Sequence, residues 1–170
     1  MLRSMSKAFT RENDDAPEPV INPSPSVLPP GAKNYITARG MENLRREFQE
    51  LSAQPPSSQI RHRLGDLQNS LLNAVVINPP PLPWMQVQFG ATVSVRNQQG
   101  LEVDYAIVGV DETDLERNHT SWISPVAKAL INRRVGEHVR FRTPAGEQNW
   151  EIMKVVYPDA NSINSSEFNI

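Results

Sequence analysis

The stretch Ile123-Ser124-Pro125-Val126-Ala127-Lys128-Ala129-Leu130-Ile131, with Val135-Gly136-Glu137 just behind it, decides how the rest of the chain folds. Ser124 is a favourable helix N-cap, because its hydroxyl can accept from an orphan amide of the first turn. Pro125 then occupies the first helical position, where a missing N–H costs nothing and φ is already helical. Val126, Ala129 and Leu130 fall at i, i+3 and i+4, one apolar face of a short helix. Arg133 and Arg134 follow, favourable against the negative end of the helix dipole, and Gly136 closes the turn. A short capped helix between strand-like runs is therefore expected.

Around it the period is 2. Val87, Phe89, Ala91, Val93 and Val95 alternate with polar residues from Met85 onward, as a half-buried strand requires. Asn97-Gln98-Gln99-Gly100 is a hairpin turn, and Leu101, Val103, Tyr105 and Ile107 alternate on the return. Asp111-Glu112-Thr113-Asp114-Leu115-Glu116 reads as a solvated acidic loop, and Thr120 to Ile123 as a short strand leading into the helix. Val139 and Phe141 mark another strand, Pro144-Ala145-Gly146 a turn, and Trp150 to Tyr157 the last strand. Four or five strands with one helix make a compact α+β domain over 85–157.

The segments before it have different compositions. Residues 1–33 carry Pro17, Pro19, Pro23, Pro25, Pro29 and Pro30 among Asn, Asp and Ser, too little apolar surface to offset ordering entropy, and read as a disordered arm. Residues 34–77 hold two apolar stripes. Met41, Leu44, Phe48 and Leu51 recur at i, i+3, i+7 and i+10; Ile60, Leu64, Leu67 and Leu71 recur at i, i+4, i+7 and i+11. Pro55-Pro56 breaks the chain between them, so the expectation is a short antiparallel coiled-coil hairpin. Thr37 is its N-cap, with Gly40 where a capping box places Glu. Helices of about 14 residues reach roughly 20 Å at 1.5 Å per residue. Asn78-Pro79-Pro80-Pro81-Leu82-Pro83, within a linker at 78–84, is a semi-rigid spacer, and Trp84 is expected to seal the junction. Residues 158–170, rich in Asn and Ser, read as a loose tail.

Bulk properties exclude several classes of function. The 170 residues contain no cysteine, which rules out disulfides and thiolate chemistry, and net charge is −2. No run approaches a membrane span and Met1 to Val20 has no apolar signal core, so a cytoplasmic protein is the expectation. His62, His119 and His138 are not paired at ligand spacing, and the acids from Asp111 to Glu116 lack the calcium-loop pattern. No P-loop, nucleophile elbow or dinucleotide fingerprint is present. No cofactor, no metal and no enzyme active site are expected. Arg96, Arg117, Lys128, Arg133, Arg134, Arg140, Arg142 and Lys154 are nearly balanced by acids, which gives no general phosphate-binding field, although Arg133, Arg134, Arg140 and Arg142 could form a local patch.

The order of Phe89-Gly90-Ala91-Thr92-Val93, Tyr105-Ala106-Ile107-Val108-Gly109-Val110-Asp111-Glu112, Ile123-Ser124-Pro125-Val126-Ala127-Lys128-Ala129-Leu130, Val135-Gly136-Glu137 and Thr143-Pro144-Ala145-Gly146-Glu147 resembles the C-terminal domain of the bacterial Gre transcript-cleavage factors. Tyr35-Ile36-Thr37 leading into Met41-Glu42-Asn43-Leu44 is similar to the start of the family's coiled coil, and Leu72 to Ile77 to its close. The resemblance implies an FKBP-like antiparallel sheet with one helix. It also implies docking on the rim of RNA polymerase's secondary channel through Ser124 and Pro125, with Val126 adjacent and Asp111 and Glu112 in the neighbouring loop. Ile123 departs from a family branch that has an acid there. Gre factors carry paired acids at the hairpin tip that help bind magnesium in the polymerase; here the turn Ala53-Gln54-Pro55-Pro56-Ser57-Ser58-Gln59 has none, and Asp66 is the one acid of the second helix. One carboxylate is a poor replacement for an oxygen-rich magnesium site.

The leading expectation is thus a monomeric elongation regulator that binds polymerase, touches nucleic acid only through the transcription complex, and does not stimulate cleavage. A cleavage factor that retains activity and an FKBP-like prolyl isomerase or chaperone are the alternatives, the last by fold analogy alone.

Overall fold

A computed structural model describes residues 28–143 and 146–158. Most of the expected arm, the Pro144-Ala145 turn and the tail beyond Pro158 lie outside the described residues.

The chain enters through a three-residue strand, β1 (Asn34–Ile36), and passes into helix α1 (Ala38–Ser52). Thr37 caps α1 by accepting from the Gly40 amide at 2.9 Å. Helix α2 (Ser58–Asn73) returns antiparallel, capped by the Ser57 hydroxyl accepting from the Ile60 amide at 3.1 Å. The two stripes meet over part of their length: Met41, Leu44 and Leu67 are buried with Ile36, and Phe48, Leu51 and Leu71 pack around them, while Ile60 and Leu64, half-buried, lie outside this cluster. At mid-hairpin Arg63 donates to both carboxylate oxygens of Glu47, at 2.7 and 2.9 Å.

The close of the hairpin differs from the helical end expected at Leu72–Ile77. Helix α2 stops at Asn73, and Ala74–Val76 form a strand, β2, that pairs in parallel with β1. The β-branched Val75-Val76 pair suits extended backbone, and a parallel partner is already in place from the entry segment. Ile77 extends the tie by donating its amide to the Ile36 carbonyl at 2.9 Å. The hairpin thus leaves from and returns to one two-stranded clamp.

The linker carries Trp84, which packs edge-on against Tyr157 at 5.4 Å and donates its indole N–H to the Pro80 carbonyl at 3.0 Å. Trp84 therefore fastens the linker to the C-terminal core. The five-stranded sheet has the order β5-β4-β3-β7-β6, built from β3 (Thr92–Asn97), β4 (Glu102–Val108), β5 (His119–Ser121), β6 (His138–Thr143) and β7 (Gly146–Val156). All pairs are antiparallel except β4 with β5, so the expectation of a wholly antiparallel sheet is corrected at that edge. β3 also begins later than Met85. Val87 instead pairs its backbone with the loop after helix α3 (Pro125–Leu130), donating to the Arg133 carbonyl and accepting from the Asn132 amide, both at 2.8 Å. The alternation from Val87 to Ala91 therefore precedes the strand proper, with Val87 paired to the loop after α3 and Gly90 and Ala91 bonded to Ile107 of β4.

Val93, Val95, Ile107, Phe141, Trp150, Ile152 and Val155 form one buried face, closed by Ala127 and Leu130 of α3. Phe141 stacks on Trp150 at 5.7 Å and takes Tyr105 edge-on at 5.8 Å. The opposite face carries charges of both signs, with Arg96 3.4 Å from Glu151.

Candidate functional site

Ser124, Pro125 and Val126 sit together at the start of α3. The Ser124 hydroxyl accepts from the Ala127 amide at 3.1 Å and shares a hydrogen bond with the Thr120 hydroxyl at 2.8 Å. Pro125 is exposed, whereas Val126 is half-buried and packs on the core. The helix stops at Leu130, so Arg133 and Arg134 stand in the following loop, exposed, and not in its last turn. The α3 N-terminus is thus a firmly held corner with a proline ring on its outer side. Of the candidate basic patch, Arg140 is exposed on β6 with its Nε bonded to Asn149 at 3.0 Å.

Asp111, which is exposed, and Glu112, which is half-buried, belong to an ordered turn and not to a loose acidic loop. They end a single 3-10 turn, Val110–Glu112, that faces the base of the hairpin. Asp111 accepts from the Asn34 side-chain amide at 2.9 Å. Glu112 Oε2 accepts from the backbone amides of Thr37, at 2.9 Å, and Gly109, at 3.0 Å. Its Oε1 accepts from the Thr37 hydroxyl at 2.5 Å. The five candidate residues therefore divide. Ser124, Pro125 and Val126 define a corner of the C-terminal domain, while Asp111 and Glu112 bind the hairpin to that domain.

Composition left this junction unrecognised. In an ordinary capping box the third helical residue is Glu, and its carboxylate returns to the N-cap amide. Here that residue is Gly40, and Glu112 supplies the carboxylate from a distant part of the chain. A Cβ at Gly40 would lie 2.1 Å from Glu112 Oε1, and one at Gly109 would lie 2.3 Å from the Tyr35 carbonyl oxygen. Beside these contacts the Tyr35 ring meets Trp122 at 5.3 Å and Phe89 at 6.0 Å. The missing Glu after Thr37 was the available signal; its replacement could be found only in three dimensions.

The hairpin tip, Ala53 to Ser57, is exposed and carries no carboxylate. Asp66 lies on α2, about 12 Å back from Ser58 at 1.5 Å per residue, with the His62 ring 3.1 Å away. Glu47 neighbours Arg63, whose pKa is raised by that hydrogen bond and partly lowered again by burial. Among the described residues, no group of three or more His, Asp or Glu is placed to hold a metal ion. Two tyrosines of the C-terminal core are perturbed. Burial raises both Tyr105 and Tyr157, and in Tyr157 a hydrogen bond from the Gln88 amide acts in the opposite direction.

Residues 83–157 match the family model described as transcription elongation factor GreA/GreB, C-terminal. The GreA of Alkalilimnicola ehrlichii is 34% identical over 156 residues, covering 74% of this chain and 99% of that protein. The chain belongs to the GreA/GreB family. Pseudomonas aeruginosa GreB is 38% identical over 102 residues, 60% of this chain, which spans only 61% of that relative. The GreA of Nautilia profundicola is 34% identical over 135 residues and is 83% covered. Among solved structures, a GreA/GreB factor of Nitrosomonas europaea is 26% identical with a TM-score of 0.42, covering 74% of this chain and all of that one. The Gfh1 protein of Thermus thermophilus gives 18% identity and a TM-score of 0.40, over 74% and 99% of the two chains. No helix among the described residues of this Gre-family chain is long and apolar enough to cross a membrane.

Proposed function

We propose that this Gre-family chain binds bacterial RNA polymerase at the rim of its secondary channel and modulates elongation without stimulating transcript cleavage, and that it is not itself an enzyme. The observation that carries this reading is the pairing of a firmly built Ser124-Pro125 corner with a hairpin tip that has no carboxylate. Pro125 is the contact residue, Ser124 holds the turn that presents it, and Val126 fixes the corner to the core. Asp111 and Glu112 contribute through the hairpin base. A magnesium ion needs oxygen ligands, and a turn built of Ala, Gln, Pro and Ser offers no charged one. In the match with the Alkalilimnicola GreA, 156 aligned positions are filled by 74% of 170 residues here, so the relative carries residues within the matched span that this chain lacks. We read that difference as a shorter hairpin.

The test is a pull-down of bacterial RNA polymerase by the wild type and by Ser124→Glu and Pro125→Ala, with folding checked by tryptophan fluorescence. Capture by the wild type and its loss in folded variants supports the docking corner; equal capture by all three rejects it. Backtracked elongation complexes are then incubated with the wild type. Prompt RNA cleavage that Asp66→Ala abolishes would establish the second reading, in which Asp66 is a working carboxylate. The relatives described above are elongation factors, and a prolyl isomerase finds no support in them.

A further inference from the structure

We infer that Glu112 is a positioning residue that sets the direction of the hairpin: it completes the N-cap of α1 from the C-terminal domain and so ties the helix axis to the sheet. This inference concerns the free protein and does not depend on polymerase binding.

Three fasteners meet at the junction, and they act on different things. The Asn34–Asp111 hydrogen bond and the Tyr35 ring contacts hold β1, the entry strand. Neither bears on the direction in which α1 leaves that strand. Glu112 does, because its carboxylate grips the amide and the hydroxyl of Thr37, and that hydroxyl in turn accepts from the Gly40 amide inside the first helical turn. The same Oε2 holds the Gly109 amide, so one carboxylate spans the helix N-terminus and the end of β4. An N-terminal amide and a negative charge at the positive end of a helix dipole are mutually favourable. Gly40 and Gly109 supply the room: a side chain at Gly40 would occupy the carboxylate's place, and one at Gly109 would collide first with the Tyr35 carbonyl and then crowd the carboxylate.

The leverage is large. A helix of 15 residues is about 22 Å long at 1.5 Å per residue, so a swing of about 20° at its base carries the tip roughly 8 Å. Such a swing is a hinge motion whose pivot is the cap.

The cysteine-free chain allows clean labelling. Spin labels on cysteines at the exposed positions Gln59, near the tip, and Lys154, on β7, report the hairpin-to-sheet distance. The wild-type background should give one narrow distribution. Glu112→Ala, which removes the carboxylate, and Gly40→Ala, which displaces it, should both broaden that distribution by several ångströms. Gly40→Ala is the sharper variant, because alanine favours an isolated helix by about 1 kcal/mol over glycine, so lost helix propensity cannot explain the change. Circular dichroism at 222 nm and tryptophan fluorescence verify that hairpin and domain remain folded in both. Broadening in both folded variants upholds the assignment. A distribution as narrow as wild type in either one overturns it and leaves direction to the β1 contacts.

Discussion

Truncating Leu67 to alanine should separate the hairpin from the domain in an unfolding experiment. Leu67 is 1% exposed and packs with Ile36, Met41 and Leu44. Leu→Ala in such a site costs about 2–5 kcal/mol, the spread depending on how far the surroundings collapse into the gap. Here collapse is limited, because Ile36 belongs to the paired strand β1 and Met41 to the first turns after the Thr37 cap. The cost should therefore lie near the middle of that range, about 3–4 kcal/mol. A hairpin with so few buried side chains has little stability to spare, and short helices are marginal without packing. Two probes report on the two parts. Trp84, Trp122 and Trp150 all lie outside the hairpin, whereas α1 and α2 hold most of the helix. In a thermal melt of the variant, ellipticity at 222 nm should fall more than about 10 °C before tryptophan fluorescence changes, using the usual several degrees per kcal/mol for small domains. Coincident transitions shifted together would show that hairpin and domain unfold as one unit. A midpoint within a degree or two of wild type would show that the stripe is not packed as described.

Three further outcomes follow from particular contacts. Ser124→Ala removes the α3 cap and should cost about 1 kcal/mol, read as a lower midpoint of the fluorescence melt with the 222 nm signal little changed. Tyr157→Phe takes away the hydroxyl that accepts from the Gln88 amide and donates to the Gln86 carbonyl, and denaturant titration should show a loss of about 1–3 kcal/mol. The same tyrosine, with Tyr105, predicts alkaline sensitivity: burial raises both above the ordinary tyrosine value of about 10, so the unfolded chain releases these protons first. Stability should therefore be intact below pH 10 and decline as pH rises through the folded values, and Tyr157→Phe should weaken that slope.

The two halves of the molecule were legible to different degrees. Ser124-Pro125 specified its helix start by local chemistry alone, and the two leucine-rich stripes specified the hairpin because each helix needs the other's face. Asn97 at the β3–β4 turn was equally local: its side-chain oxygen accepts from the Gln99 and Leu101 amides at 3.0 and 2.9 Å. Long-range pairing was not legible. β1 and β2 are three residues each, too short to show a period, and exist because the hairpin brings Asn34 and Ala74 together. Glu112 looked like one acid among several in a loop, and only its contact with Thr37 distinguishes it. Sequence separation explains the difference: a cap within three residues can be read along the chain, one across 75 residues cannot.

Because the chain enters and leaves the hairpin through adjacent strands, hairpin length is an independent design variable. Adding or deleting matched heptads in α1 and α2 would move the tip by about 10 Å per heptad, at 1.5 Å per residue, and leave the β1–β2 clamp and the Glu112 cap as they are. The base is in effect a standard socket, and what it holds out, how far and with which terminal residues, can be exchanged without rebuilding the domain that carries it.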